Sequence, residues 1–107
     1  MKFDDIEPEL IELCYTASPL EMTKVLVNGE LRGLETLSLR GIEKRNELPA
    51  EVVNVLLIYF YKTFAGKVYN RMYLTKLYNL WLTNNIYTFK DAKRMTELDI
   101  KQVLDNV

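Results

Sequence analysis

Aromatic rings and positive charges are interleaved in the second half of this chain. Six of its seven tyrosines and five cations share the stretch from 59 to 90, namely Tyr59, Tyr61, Tyr69, Tyr73, Tyr78 and Tyr87 with Lys62, Lys67, Arg71, Lys76 and Lys90. This mixture is typical of single-stranded nucleic-acid sites, where cations contact phosphates and exposed rings stack on bases. The alternative is that most of these rings belong to the hydrophobic core.

The charges are divided unevenly along the chain. Residues 1–51 carry 6 bases against 11 acids, residues 52–95 carry 7 against 1, and residues 96–107 carry 1 against 3, so the segments net −5, +6 and −2. This asymmetry predicts a basic face that attracts a polyanion although the whole chain nets −1. The candidate nucleic-acid-binding cations are Lys67, Arg71, Lys76, Lys90, Lys93 and Arg94. Alternatively, the acidic and basic segments lie against each other.

Residues suited to catalysis are scarce. The chain has no histidine, which is the commonest acid–base group, and its four glycines are scattered without the spacing of a phosphate-binding loop. The one cysteine, Cys14, lies among acidic residues in a predicted amphipathic helix, where a structural role is favoured over a nucleophilic one. We therefore expect a protein that is not an enzyme, with no catalytic residues, no metal site and no cofactor.

Length and composition predict one domain over residues 1–107. A chain of this length buries about two-thirds of its unfolded surface, and half of its residues are apolar. Because a single cysteine forms no internal disulfide, we predict a reduced, cytoplasmic setting. The first residues lack the long apolar stretch of a secretory signal, and the longest apolar run, 52–61, is too short to cross a bilayer. We expect a soluble protein without membrane insertion.

Helix signals recur along the chain, whereas apolar–polar alternation and hairpin dipeptides are missing. The predicted helices are residues 7–15, 18–27, 34–44, 49–64, a helix from Asn70 to Asn84-Asn85, and one opened by Thr88 and extended by Leu98, Ile100, Val103 and Leu104. Ser18 with Glu21, and Thr88 with Asp91, have the spacing of capping boxes. The segment 49–64 is apolar on nearly all sides, which is typical of a central buried helix. The prediction is an all-α fold, a compact bundle of about six helices around that segment.

Tyr73, Leu77 and Trp81 stand four residues apart and so share one face of a predicted helix. Such a stripe beside an apolar helix favours packing in the core, and a base-stacking platform is the alternative. Lys76 lies on another side of the same helix and, with Arg71, is better placed to meet a ligand. The cations around this helix and those that open the next one could line a common surface.

Three segments together resemble one protein family. They are LPAEVVNVLLIYF at 48–60, the stripe Tyr73-x3-Leu77-x3-Trp81, and TFKDA at 88–92, preceded by ASPLEM at 17–22. In this order they resemble the C-terminal domain shared by the DnaD and DnaB primosome proteins of low-GC Gram-positive bacteria, with the DnaB type closer. The resemblance covers about Ala17 to Met95, and leucine replaces the family's usual isoleucine at position 77.

The resemblance implies an all-helical module without catalysis that binds DNA, single-stranded especially. It also implies contacts with other primosome or helicase-loading proteins during replication initiation, and it leaves a homo-oligomer open. The family motif maps onto Tyr73, Leu77 and Trp81. A competing hypothesis is a pure protein-interaction or scaffold domain whose basic face docks an acidic protein partner.

Overall fold

The computed structural model describes residues 6–27, 33–64 and 72–105, without the side chains of 33–35 and 38. These ranges contain seven helices and no strand: α1 (Pro8–Thr16), α2 (Pro19–Leu26), α3 (Gly33–Arg45), α4 (Ala50–Phe64), α5 (Met72–Thr83), α6 (Phe89–Met95) and α7 (Ile100–Asp105). The all-α prediction is confirmed. Residues 28–29, where the predicted helix 18–27 stops, and Asn70, where the predicted fifth helix begins, lie outside the described residues.

The central helix is α4, as its sequence predicts. Residues 52–61 and Phe64 are buried, so this helix has almost no solvent-facing side. It packs against α1, α2, α5, α6 and α7, whereas α3 packs against α2 and α5 at the outside of the bundle. Burial from several directions explains why the segment is apolar all round rather than along one stripe. Pro49 immediately precedes the helix, and its carbonyl accepts a hydrogen bond from the Val53 N–H at 3.0 Å.

Both predicted caps form, but the second is incomplete as a box. The Ser18 hydroxyl accepts from the Glu21 N–H at 3.2 Å, and the Glu21 carboxylate accepts from the Ser18 N–H at 3.4 Å. At α6 the Thr88 hydroxyl accepts from the Asp91 N–H at 3.1 Å. The Asp91 carboxylate lies 3.7 Å from the Arg94 guanidinium, one turn ahead on the same helix. Side-chain caps of this kind satisfy helix N–H groups that lack an intrahelical partner.

The predicted end of α5 at Asn84-Asn85 is confirmed by its hydrogen bonds. Asn85 has a positive φ of 58°, and its N–H donates to the Leu82 carbonyl at 3.1 Å. The Ile86 N–H donates to the Trp81 carbonyl at 3.0 Å, which completes a Schellman motif and accompanies the burial of Ile86. Asparagine suits this left-handed position better than most residues other than glycine.

The C-terminal residues form a separate helix, α7, instead of the predicted extension of α6. The Asp99 carboxylate accepts from the Lys101 N–H at 3.0 Å and the Asp99 carbonyl from the Val103 N–H at 3.0 Å, so Asp99 caps a new helix. The Tyr59 hydroxyl, from α4, donates to the Leu98 carbonyl just before this cap. The break lets Ile100 and Leu104 enter the core. The described chain therefore has one helix more than the sequence predicts.

Candidate nucleic-acid interface

The stripe predicted on α5 is mainly a core feature. Leu77 and Trp81 have no exposed surface, and the Trp81 ring stacks on Tyr59 with centroids 6.3 Å apart. Tyr73 is partly buried and packs against Phe64 at 5.8 Å. The packing interpretation is thus confirmed for Leu77 and Trp81, which no base can reach in this fold. Tyr73 keeps an accessible edge.

Three of the six tyrosines that the sequence groups with the cations are also buried. Tyr59, Tyr61 and Tyr78 are 1%, 4% and 0% exposed, whereas Tyr69 lies outside the described residues. Tyr87 is the exception, at 46% exposure, and it directly precedes the cap of α6. The core alternative therefore holds for three of these rings, and Tyr87 is left as a ring that can stack on a ligand.

The candidate cations fall into three groups. Lys67 and Arg71 lie outside the described residues. Lys76 is exposed on the outer side of α5 and makes no hydrogen bond or ion pair within the described ranges. Lys90, Lys93 and Arg94 belong to α6, where Lys90 and Arg94 are exposed and Lys93 is half-buried. Lys90, like Lys76, has no partner in the described part of the chain.

The short helix α6 presents its cations because one small residue faces inward. Ala92 has no exposed surface, and Phe89 and Met95 are partly buried on the same side of α6. A helix with its small residue against α4 can lie close to that helix, while the long basic side chains remain at the surface. Its first turn also carries Asp91, whose charge suits a helix N-terminus.

A second exposed ring reaches this surface from α1. The Tyr15 side chain packs on Phe89 with ring centroids 4.9 Å apart and an interplanar angle of 35°, yet Tyr15 is 62% exposed. One face of its ring is therefore open to solvent. Sequence reasoning missed Tyr15 because it belongs to the acidic segment, and nothing in the local pattern pairs α1 with α6. We call Tyr15, Tyr87, Phe89, Lys90, Lys93 and Arg94 the α6 surface.

Lys76 belongs to a different neighbourhood. Its helix, α5, packs against α3, α4 and α7. The last residue of α3, Arg45, is a cation held in place by contacts with α5. Arg45 donates to the Asn79 side-chain oxygen at 2.6 Å, lies 3.1 Å from the Glu47 carboxylate and sits 4.8 Å above the Tyr78 ring. Within the described residues no hydrogen bond or ion pair joins Lys76 to α6, and a surface shared by the two helices stays a prediction.

The alternative that acidic and basic segments lie against each other holds for Lys62. Its ammonium group is 3.3 Å from both carboxylate oxygens of Glu7. A backbone hydrogen bond and then this ammonium group lower the pKa of Glu7. Lys76 and Lys90 face solvent, and Arg94 pairs with an acid of its own helix. Among the described contacts, an ion pair with the acidic segment is shown for Lys62, whereas Lys90 and Arg94 of the α6 surface remain exposed.

Cys14 is a core residue. It is 1% exposed, and burial raises the pKa of its thiol from about 9.0 to about 11, so the reactive thiolate is disfavoured. Within the described ranges no three potential ligand side chains are grouped to hold a metal ion. No helix in those ranges has the length and apolar character needed to span a membrane.

The chain matches no protein-family model, and neither the curated proteins nor the solved structures include one significantly similar to it. The resemblance to the DnaD and DnaB domain therefore stays a prediction that rests on the quoted segments. What the structure itself adds is the α6 surface, where cations and exposed rings from two distant parts of the sequence meet.

Proposed function

We propose that this chain is a non-catalytic DNA-binding and protein-interaction module, acting in the cytoplasm, of the kind found in primosomal helicase-loading proteins. The observation that carries the DNA-binding part is the α6 surface, with its partly exposed rings beside cations. The primosomal part rests on the resemblance of segments 17–22, 48–60 and 88–92 and of the α5 stripe.

Two cations of the α6 surface, Lys90 and Arg94, are available to phosphates. Lys90 has no hydrogen-bond or ion-pair partner within the described residues, and the Arg94 side chain is 68% exposed with the Asp91 carboxylate 3.7 Å away. An exposed pair of this kind stabilises the fold by at most about 1 kcal/mol, so a phosphate can replace the carboxylate at little cost. Each phosphate neutralised also releases condensed counterions, which makes the affinity depend on salt.

The rings of the α6 surface favour single strands. Tyr87 and the open face of Tyr15 can each accept a base, and stacking on an aromatic ring contributes about 1–3 kcal/mol per base. Bases in a duplex are already stacked on each other and do not reach such rings. Glu12 is exposed one turn before Tyr15, so we expect the phosphates to follow the Lys90 and Arg94 side rather than α1.

The test is oligonucleotide binding measured by fluorescence anisotropy at two salt concentrations. We expect the protein to bind a labelled oligothymidine more tightly than a duplex of equal length. Lys90→Glu with Arg94→Glu should weaken binding similarly for different base sequences and flatten the salt slope by about one unit per contact removed. Arg40→Glu with Lys44→Glu reverses two exposed cations of α3 at the same spacing, and this matched control should leave the affinity nearly unchanged.

Ring variants separate stacking from charge. Tyr87→Ala should weaken binding to the single strand about tenfold, as expected for one lost stacking contact, whereas Tyr87→Phe should retain it. Binding that survives both charge reversals and the loss of Tyr87 would remove the α6 surface from consideration.

An acidic protein partner is the second candidate ligand of this basic surface. Leu98 is 48% exposed just beyond α6, and an apolar side chain there suits a protein contact better than a phosphate. If this scaffold role is the correct one, oligonucleotides will bind weakly with a shallow salt slope. The charge reversals at Lys90 and Arg94 will then leave the oligonucleotide affinity unchanged.

A further inference from the structure

An open groove lies where the start of α1, the end of α2 and the last turns of α4 meet. Its volume is about 400 Å³, and its apolar walls come from Leu10, Val25, Leu26 and Tyr61. Val25 is 49% exposed although it stands beside buried residues of α2, so the apolar lining continues to the surface. The volume falls at the small end of the range for ligand sites, which is about 300–1,000 Å³.

The rim of the groove is acidic. Glu7, Glu9 and Lys62 stand along it, and Lys62 is already held by both carboxylate oxygens of Glu7. Glu9 is exposed and has no partner within the described residues. Residues 6–27 as a whole carry four glutamates against one lysine. This potential repels a polyanion and attracts a cation.

The groove therefore differs in ligand chemistry from the α6 surface. It combines an apolar slot with one unpaired carboxylate, and its solvent side is open, whereas small-molecule sites usually enclose most of their ligand. An apolar side chain that remains attached to a polypeptide fits this geometry. A neighbouring basic side chain of the same polypeptide would reach Glu9.

We propose that this groove docks a cationic amphipathic segment of a protein partner. A large apolar side chain of that segment enters between Val25 and Tyr61, and an adjacent lysine or arginine pairs with Glu9. The inference rests on the protein-contact part of the proposed function and is independent of the DNA-binding part. The groove lies at the first turn of α1, whereas Tyr15 of the α6 surface lies near the other end of that helix, about 9 Å along its axis at 1.5 Å per residue.

The experiment uses three short capped peptides titrated into the full chain, with the methyl groups of Leu10, Val25 and Leu26 followed by NMR. The probe is acetyl-Leu-Leu-Arg-Arg-amide, and its controls are acetyl-Ala-Ala-Arg-Arg-amide and acetyl-Leu-Leu-Glu-Glu-amide. We expect saturable shifts of these methyl groups with the probe and much smaller shifts with either control. Because no peptide carries a phosphate, failure here leaves the oligonucleotide results untouched, and failure of DNA binding leaves this test unaffected.

Single substitutions test the charged part and the apolar part of peptide binding separately. Glu9→Lys should raise the dissociation constant of the probe about fivefold, the upper range for one exposed charge pair, and Glu43→Lys on α3 is the matched control. Val25→Ser should weaken the probe by a similar factor through the lost apolar contact. Circular dichroism melting checks that each variant remains folded.

Three results would overturn the proposal. Equal shifts with the Ala-Ala peptide would reduce the effect to general electrostatic attraction. Shifts of the groove methyl groups on changing protein concentration without peptide would assign the groove to a second copy of this chain. No saturable shift at millimolar probe would leave the groove without the proposed ligand.

Discussion

Helices α5 and α6 both combine rings with cations, but the fold uses them differently. Along α5 the apolar side chains recur at every turn, so Leu74, Leu77, Tyr78 and Trp81 are buried. Along α6 only Ala92 is fully buried, and the ring that precedes the helix, Tyr87, stays exposed. A ring therefore becomes part of the core when apolar neighbours extend its face along the helix. A ring without such neighbours remains available to a ligand.

The largest effect is expected from removing the largest ring of α5. Trp81→Ala should lower the free energy of unfolding by about 3–5 kcal/mol, because the fully buried indole leaves a cavity. Trp81→Phe should be milder, since it keeps most of the volume and removes an indole N–H without a partner in the described residues. Urea unfolding measures both. Unchanged stability with loss of oligonucleotide binding would show that the indole acts as a stacking platform.

A smaller loss of stability is expected from removing the contact through which α4 holds α1. Helix α1 carries Tyr15, which belongs to the α6 surface. The Asn54 amide is fully buried and donates to the carbonyls of Ala17 at 2.8 Å, Cys14 at 3.1 Å and Leu13 at 3.4 Å. Asn54→Leu leaves these carbonyls without the donor and should lower the free energy of unfolding by about 1–3 kcal/mol.

The consequence should extend to the contact between α1 and α6. We expect Asn54→Leu to shift the NMR resonances of the Tyr15 and Phe89 rings, because the end of α1 loses its anchor. Asn79→Leu removes an exposed amide that binds Arg45 and is the matched control, with an expected change below about 1 kcal/mol. If the two variants unfold alike, Asn54 does not fix α1.

A third prediction concerns the stability of the protein at alkaline pH, where the buried thiol of Cys14 titrates. The raised pKa of Cys14 means that the folded protein holds the thiol proton more tightly than the unfolded chain does. The contribution of the Cys14 thiol to the free energy of unfolding is therefore constant below pH 9.0 and decreases as the pH rises toward about 11. Cys14→Ala should show a smaller loss of stability over this interval than the parent protein.

Urea unfolding at pH 8 and pH 10.5 measures the Cys14 effect, and the difference between the two proteins cancels the titration of other groups, including buried Tyr59. A thiol reagent at pH 8 should react slowly until the protein unfolds, because the thiol is buried and protonated. Rapid reaction of the folded protein would contradict this description of Cys14.

The smallest stability changes should come from the exposed cations of both helices. Lys76→Ala on α5 and Lys90→Ala on α6 should each change the free energy of unfolding by no more than about 0.5 kcal/mol, because neither side chain has a partner in the described structure. We expect only Lys90→Ala to weaken oligonucleotide binding, which sharpens the contrast between the two helices. Equal losses of binding would extend the interface to α5.

Much of the fold was predictable because local signals agree with one another. The apolar segment after Pro49, the caps at Ser18 and Thr88 and the Asn84-Asn85 end of α5 each act over a few residues, so the sequence shows them directly. The division between α6 and α7 was missed although Asp99 is a good N-cap residue. The apolar residues after it keep a helical spacing, and that periodicity hid the break.

The candidate site was less predictable than the fold. Lys90, Lys93 and Arg94 were selected from their charge, and the structure leaves Lys90 and Arg94 exposed. Tyr15 was not selected, because its contact with Phe89 joins residues far apart in the chain. Lys76 was grouped with the α6 cations on charge alone, and within the described residues no hydrogen bond or ion pair joins it to α6. The fixed cation Arg45 had no sequence signal beyond its charge.

The amino-acid sequence was enough to predict the helical class and the central position of α4 and to favour burial of Leu77 and Trp81, because periodicity and apolar content indicate which helix faces avoid water. Three contacts follow from the packing of the helices: Asn54 anchors α1, Tyr15 packs against α6, and Lys62 pairs with Glu7 beside an apolar groove. These contacts depend on how helices are arranged around α4. That arrangement arises from packing between distant segments, and local patterns do not encode it.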